Sequence, residues 1–116
     1  MTVVGTYFVI YVNDMDRATA FYKDALGAHV GFSSPEWTSL SIAGTSVGLH
    51  AGADTNERII GFGVDVDDLD AACSAVTACG GRLIDAPQEL PEEGITIAKV
   101  ADTEGNVFSM TLPGDH

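Results

Sequence analysis

The chain has 116 residues, of which 46% are apolar, 17 are acidic and 5 are basic, giving a net charge of −12. This length and composition predict a single folded domain over residues 1–116 and exclude a disordered chain. The scarcity of lysine and arginine excludes nucleic-acid binding and disfavours anionic membrane surfaces, because both need clustered positive charge. No segment approaches the roughly 18 apolar residues of a transmembrane helix, and the first residues lack the pattern of a signal peptide, so we expect a cytoplasmic protein.

The first half of the chain, about residues 5–52, has the pattern of a β-α-β-β-β module. The strand at 7–12 is rich in β-branched and aromatic residues. Asn13 and Asp14 can cap a helix that begins near Met15, and Gly27 suits the left-handed position that follows a helix. Three further strands are predicted at 29–32, 37–43 and 45–50, with a glycine turn at Gly44 between the last two.

The second half, about residues 58–113, repeats the same order of elements. A strand at 59–66 is followed by Asp67, the expected cap of a helix from Leu69 to Cys79 that ends at Gly80 and Gly81. The acidic segment from 85 to 94 is predicted to be a solvated loop. The remaining strands are predicted near 82–85, 96–101 and 106–112.

The two halves align as copies of one module. At an offset of 54 positions the cap, an alanine and the final glycine of the helices correspond, and at an offset of 61 the glycine turns and the strands after them correspond. Agreement in both a capped helix and a glycine turn indicates a duplication, so a site is expected between the copies. The aligned pairs are Asp14 with Asp68, Ala18 with Ala72, Gly27 with Gly81, Gly44 with Gly105, Val47 with Phe108 and Leu49 with Met110.

Two segments resemble the signatures of the vicinal oxygen chelate superfamily, which includes glyoxalase I, the bleomycin resistance proteins and the extradiol dioxygenases. They are VNDMDRATAFYKDALG at 12–27 and DTEGN at 102–106, where Thr103 replaces the usual proline. The resemblance implies an α+β fold in which two βαβββ modules form curved mixed sheets around a shared cavity. It also implies a homodimer, with modules paired either within one chain or between chains.

Metal-dependent members of that superfamily take their ligands from four positions, which match Tyr7, Gly48, Gly61 and Ser109 here. Glycine offers no side-chain donor, and divalent cations in such sites need imidazole or carboxylate ligands. We therefore expect no metal and no cofactor. That expectation removes the basis for glyoxalase, dioxygenase or epimerase chemistry.

The alternation of strand residues predicts which side chains line the cavity. Phe8, Ile10 and Val12 should pack on the helix, which leaves Tyr7 and Tyr11 facing inward. The glycines should leave volume beside these aromatic faces, which suits a planar or amphipathic organic ligand, and a nearby carboxylate allows that ligand to be cationic. The remaining inward positions include Trp37, Gly48, His50, Gly61, Gly63, Asp65 and Ser109.

Three functions remain open at this stage. The first is a metal-free binding protein for an aromatic or hydrophobic molecule such as an antibiotic, resembling the drug-sequestering branch of the superfamily. The second is an enzyme of lyase, isomerase or dioxygenase type with a non-standard site near His50, the one inward histidine. The third is an accessory domain without a ligand, whose aromatic residues only fill space or contact a second copy. The predicted ligand-binding residues are Tyr7, Tyr11, Trp37, Gly48, His50, Gly61, Gly63 and Ser109.

Overall fold

The computed structural model describes residues 1–114 and contains the β-α-β-β-β order twice. The two four-stranded sheets have the strand orders β1-β4-β3-β2 and β5-β8-β7-β6, with only the β1–β4 and β5–β8 pairs parallel. The predicted α+β fold of two βαβββ modules is confirmed. The elements are β1 (Phe8–Val12), α1 (Met15–Leu26), β2 (His29–Ser33), β3 (Trp37–Ile42), β4 (Thr45–Ala51), β5 (Arg58–Asp65), α2 (Leu69–Ala78), β6 (Arg82–Leu90), β7 (Ile95–Ala101) and β8 (Asn106–Leu112).

Helix α1 begins and ends as its sequence predicts. The Asp14 carboxylate accepts a hydrogen bond from the Arg17 N–H at 3.0 Å, so it satisfies an amide that has no partner within the helix. Gly27 follows the helix with φ +67°, a left-handed conformation that costs glycine little. The buried face of α1 consists of Met15, Ala18, Phe21 and Tyr22.

The cap of α2 differs from the prediction by one residue. Asp68, not Asp67, is the N-cap, because its carboxylate accepts from the Ala71 N–H at 3.0 Å while its own backbone is extended. Asp67 is exposed. Two adjacent aspartates made the choice ambiguous from the sequence, and the contact between side chain and amide decides it.

The predicted acidic loop at 85–94 is mostly strand. Strand β6 continues to Leu90 and pairs with β7, with shifts in register between Leu83 and Asp85 and between Asp85 and Gln88. The proline at 87 lies within the second shift, where the irregular pairing and the edge position of β6 tolerate a residue without an N–H. A short turn at 91–94 is all that remains of the loop.

One hydrophobic core extends through both modules, since α1 and α2 pack against each other. The core residues predicted from strand alternation are buried, with the exception of Phe8, which is 58% exposed. Phe8 begins an edge strand, and only the later residues of that strand, Ile10 and Val12, are buried in the core. The prediction for Phe8 is therefore wrong.

The DTEGN turn binds the second module to the start of α1. The fully buried Glu104 carboxylate accepts from the backbone N–H groups of Asn13 and Asp14 at 3.0 and 2.7 Å and from Arg17 Nε at 2.8 Å. Asp102 accepts from the Tyr22 hydroxyl at 2.6 Å. We call this set of bonds the inter-module contact. It puts a carboxylate at a helix N-terminus, where the helix dipole stabilises negative charge.

Two pKa values reflect the inter-module contact. Burial by itself would raise the pKa of Glu104, but the hydrogen bonds from Arg17, the Asp14 N–H and Thr103 outweigh it, so that pKa lies below its ordinary value. Burial, together with the charge of Asp102, raises the pKa of Tyr22 well above its ordinary value. Glu104 is thus held as a carboxylate and Tyr22 as a neutral donor.

Within residues 1–114, no helix is long and apolar enough to span a membrane.

Candidate functional site on the open face of the first sheet

Trp37 lies across Gly48 on the face of the first sheet that the helices do not cover. The two residues are on neighbouring strands, β3 and β4, with Trp37 paired to His50 and Gly48 paired to Ser39. A Cβ built on Gly48 would lie only 2.0 Å from Trp37 Cη2. The prediction that Gly48 leaves open volume is therefore wrong. The missing side chain at this position makes room for the indole ring of Trp37.

The indole is held at several points. Trp37 Nε1–H donates to Ser39 Oγ at 2.9 Å. The rings of Tyr7 and His50 approach it edge-on, with centroids 6.3 and 6.2 Å away and interplanar angles of 85° and 84°. Edge-to-face pairs of this kind stabilise the arrangement by about 0.5–1.5 kcal/mol each.

Tyr11 completes the group, with its ring centroid 5.5 Å from that of His50. We call Tyr7, Tyr11, Trp37 and His50 the aromatic cluster. Tyr7 is 68% exposed and Tyr11 54% exposed, so the cluster presents aromatic surface to the outside of this chain. Contiguous exposed apolar surface is a feature of interaction sites and ligand-binding grooves.

His50 has a defined tautomer. Its Nδ1 lies 2.6 Å from the carbonyl oxygen of Ala51. A carbonyl can only accept, so in the neutral ring Nδ1 carries the proton and Nε2 keeps its lone pair. Nε2 is therefore the nitrogen that can accept a hydrogen bond or a proton from a ligand.

A recess of about 540 Å³ adjoins the cluster, and all of its lining residues lie within 4–48. One wall is the segment 4–6, which precedes β1 and carries no periodic pattern from which a site could be predicted. The other lining residues are Tyr7, Trp37, Ser39, Leu40, Ser46, Val47 and Gly48.

The other predicted site residues lie on the second sheet. Gly61 has nothing within 4 Å of an added Cβ, so the prediction of open space holds there. Gly63 is paired with Ser109 on β8, and Ser109 is half-buried. Among residues 1–114, no hydrogen bond, aromatic contact or pocket joins these three residues to the aromatic cluster. A single chain thus brings together five of the eight predicted residues: Tyr7, Tyr11, Trp37, Gly48 and His50.

The donor set does not fit the metal centre of metal-dependent relatives. Of the four matching positions, Gly48 is covered by an indole, Gly61 has no side chain, and Tyr7 and Ser109 offer only hydroxyl groups on separate sheets. In the part of the chain that the structure describes, no group of three or more His, Cys, Asp or Glu residues is arranged to hold an ion. No step of a mechanism is therefore assigned to a metal.

Comparison with known proteins identifies the family. The model of the Glyoxalase/Bleomycin resistance protein/Dioxygenase superfamily matches residues 6–110. The chain belongs to this superfamily. The match includes both signature segments and every residue of the aromatic cluster and the inter-module contact.

Individual relatives carry different names. A lactoylglutathione lyase from Haemophilus influenzae is 31% identical over 112 residues, which cover 84% of this chain and 83% of that protein. An enzyme of the same superfamily from Burkholderia phytofirmans PsJN has a TM-score of 0.75 at 23% identity, covering 91% of this chain and 95% of its own. The fosfomycin resistance protein FosX from Listeria monocytogenes, complexed with Mn(II) and sulfate, has a TM-score of 0.78 at 21% identity, covering 97% and 92%. These solved structures establish the shared fold.

Proposed function

We propose that this protein binds a planar, mainly apolar organic molecule on the aromatic cluster, without a metal ion, and sequesters it without changing it. The observation that carries the proposal is the indole of Trp37, which lies over Gly48 with the edges of Tyr7 and His50 against it. A rigid aromatic surface with few polar groups suits a ligand that stacks rather than one that reacts.

The polar groups of the cluster limit what the ligand can offer. His50 Nε2 can accept a hydrogen bond, whereas the indole N–H is already bonded to Ser39. The net charge of −12 favours a neutral or cationic molecule over an anionic one. An antibiotic-like aromatic compound with a hydroxyl or amine group fits these constraints.

A second copy of the chain would complete the site. The exposed rings of Tyr7 and Tyr11 leave one side of a bound ligand open to water, and the predicted residues Gly61, Gly63 and Ser109 lie on the other sheet. We propose a homodimer in which the second sheet of one chain covers the aromatic cluster of its partner. Light scattering should give a mass near twice 12.1 kDa, and a monomer at micromolar concentration would contradict this arrangement.

The binding proposal can be tested with two neutral alcohols that differ in planarity, 2-naphthalenemethanol and cyclohexylmethanol. Trp37 is the only tryptophan, so its indole N–H gives a single NMR resonance that reports on the cluster. The planar alcohol should bind at least tenfold more tightly, shift this resonance and be recovered unchanged. Equal affinities, or an unmoved indole resonance, would contradict the proposal.

Two glycine variants provide a matched pair. Gly48→Ala should displace the indole and weaken binding of the planar alcohol about tenfold, equivalent to about 1.4 kcal/mol. Gly31→Ala adds the same methyl group at an exposed position of β2, in ordinary van der Waals contact 3.6 Å from the Ser39 carbonyl oxygen, and it should leave the indole resonance unchanged. Equal loss of affinity in both variants would show that the Trp37–Gly48 arrangement is not the binding surface.

The defined tautomer of His50 favours a second candidate, an enzyme in which Nε2 acts as a general base. The named activity of the H. influenzae relative gives a direct assay, lactoylglutathione lyase activity with and without added divalent metal ions. The sequestration proposal predicts no turnover, and His50→Ala should change only affinity. Turnover that His50→Ala abolishes while ligand binding survives would replace sequestration with catalysis.

A further inference from the structure

A cavity of about 380 Å³ lies between the two modules and shares no lining residue with the recess beside the aromatic cluster. It is bounded by the end of α1, the turn between β3 and β4, strand β5 and the first turns of α2. We call it the inter-module cavity. Its walls are mainly aliphatic, with one ionisable residue, and consist of Ala25, Leu26, Ile42, Ala43, Thr45, Phe62, Gly63, Val64, Asp65, Val66 and Ala72.

The duplication explains why this space exists. The offsets that align the two modules map the turn at Ala43 onto the turn at Glu104, and they map α2 onto α1. The inter-module cavity is therefore the counterpart of the inter-module contact. Both turns keep their backbone, since Gly44 and Gly105 have φ values of +85° and +88°.

The side chains that fill the contact are missing at the cavity. Ala43 stands in the place of Glu104, so its methyl group cannot reach the start of α2. Ala71 and Val76 stand in the places of Arg17 and Tyr22, the groups that bond to Glu104 and Asp102 in the other copy. Of the residues at these matching positions, Ala43 lines the cavity, and its short side chain leaves space that Glu104 occupies in the other copy.

Asp65 gives the cavity its chemical character. It is the one ionisable residue of the lining, it is exposed, and within residues 1–114 it forms no ion pair or side-chain hydrogen bond. A space of 380 Å³ with mainly aliphatic side chains in its walls lies in the range of small-molecule sites, roughly 300–1,000 Å³. A carboxylate at its edge, in a chain with a net charge of −12, attracts cations and repels anions.

We propose that the inter-module cavity binds a small apolar amine, with the hydrocarbon portion among the aliphatic walls and the ammonium group on Asp65. This site is separate from the aromatic cluster. Because the inter-module cavity lies between α1 and α2, a bound amine would contact both modules. It would do so at the end of the interface between the modules where no side chain makes a contact like that of Glu104. The amine would take up the volume that the truncated side chains leave.

Three probes of equal chain length separate the expected contributions: hexylamine, 1-hexanol and hexanoate. In NMR titrations, hexylamine should shift the backbone N–H resonances of Ala43 and Val66 and bind most tightly, 1-hexanol more weakly, and hexanoate most weakly. These resonances lie away from the indole N–H of Trp37, which hexylamine should leave unchanged. Absence of shifts at Ala43 and Val66 would overturn the proposal, whatever the result at the aromatic cluster.

Charge and volume can then be varied separately. Asp65→Asn should weaken binding of hexylamine about fivefold, near the upper end of the contribution of an exposed ion pair, and leave the affinity for 1-hexanol unchanged. Its control is Glu92→Gln, an exposed carboxylate in the turn at 91–94. If Asp65→Asn weakened the binding of both probes equally, or of neither, recognition of the ammonium group by Asp65 would be refuted.

Ala72→Leu should take up part of the cavity and weaken binding of both hexylamine and 1-hexanol at least tenfold. Ala25→Leu narrows the cavity from the opposite wall and gives the same test if the first variant does not fold. The control is Ala20→Leu, at an exposed position of α1 outside the lining. Unchanged affinity in a folded cavity-filling variant would place the amine elsewhere and overturn the proposal.

Discussion

The substitution Gly48→Ala tests the arrangement on which the aromatic cluster depends. A Cβ at this position would lie 2.0, 2.2 and 2.9 Å from Cη2, Cζ2 and Cζ3 of Trp37, so the indole must leave its place. The ring can swing outward, because it is half-buried and the open face of the sheet lies beside it. The cost is therefore set by the contacts that Trp37 loses.

Those contacts can be counted. The hydrogen bond from the indole N–H to Ser39 contributes about 1 kcal/mol, and the edge-to-face pairs with Tyr7 and His50 contribute about 0.5–1.5 kcal/mol each. Water replaces part of the hydrogen bond, and the displaced ring keeps some contacts. We expect a net loss of about 2 kcal/mol in the free energy of unfolding, or roughly 8 °C in Tm at about 4 °C per kcal/mol for a domain of this size.

Thermal unfolding and tryptophan fluorescence measure the two consequences. Gly48→Ala should lower Tm and move the Trp37 emission to longer wavelength, because the indole becomes more exposed. Gly31→Ala should change neither property, since its added Cβ would make only ordinary contacts, the nearest 3.6 Å from the Ser39 carbonyl oxygen. A Gly48→Ala protein with the stability and emission of the parent would refute the placement of Trp37 over Gly48.

Two substitutions test the inter-module contact, and a third tests the turn that carries it. Glu104→Gln should lower the free energy of unfolding by about 2 kcal/mol in urea titrations, because Arg17 and the backbone amides of Asn13 and Asp14 lose a charged acceptor. Since the pKa of Glu104 is lowered from 4.5, the parent should lose this advantage as the pH falls below about 4.5. An unchanged difference between the two proteins at pH 3 would contradict the assignment. Tyr22→Phe should lower the free energy of unfolding by about 1–2 kcal/mol at pH 7, because the hydrogen bond to Asp102 is lost. The raised pKa of Tyr22 stabilises the fold below pH 10, and this stabilisation is lost as the pH rises further. The parent should therefore lose stability above pH 10, and the variant should lose less. Gly105→Ala should lower the free energy of unfolding by about 3 kcal/mol in thermal unfolding, because φ is +88° and the Cβ would lie 2.6 Å from the carbonyl oxygen of Thr55. The control Gly52→Ala, with φ +117° and no neighbour within 4 Å, should lower it less. Equal losses would mean that the contact with Thr55 is unimportant.

The secondary structure and the duplication could be predicted because their signals are local. Alternating apolar residues define β3 and β4, Asp14 and Gly27 bound α1, and a glycine ends the turn before each module's last strand. Predictions failed where neighbouring residues offered equal choices or where pairing with another strand decided the outcome. Asp67 and Asp68 are both good caps, and the continuation of β6 to Leu90 depends on β7 rather than on its own composition.

The sequence by itself thus determined the two βαβββ modules and the predominance of negative charge, since residue types and spacing are sufficient for both. The mismatch with a metal centre followed from the resemblance to the superfamily, whose ligand positions match Tyr7, Gly48, Gly61 and Ser109. Only the tertiary structure decided what fills the space between residues distant in the chain. It placed Glu104 on an amide 91 positions away, laid Trp37 across Gly48, and left the inter-module cavity where Ala43 faces α2. Side-chain volume and direction determine such contacts, and a periodic pattern records only which face of an element a residue occupies.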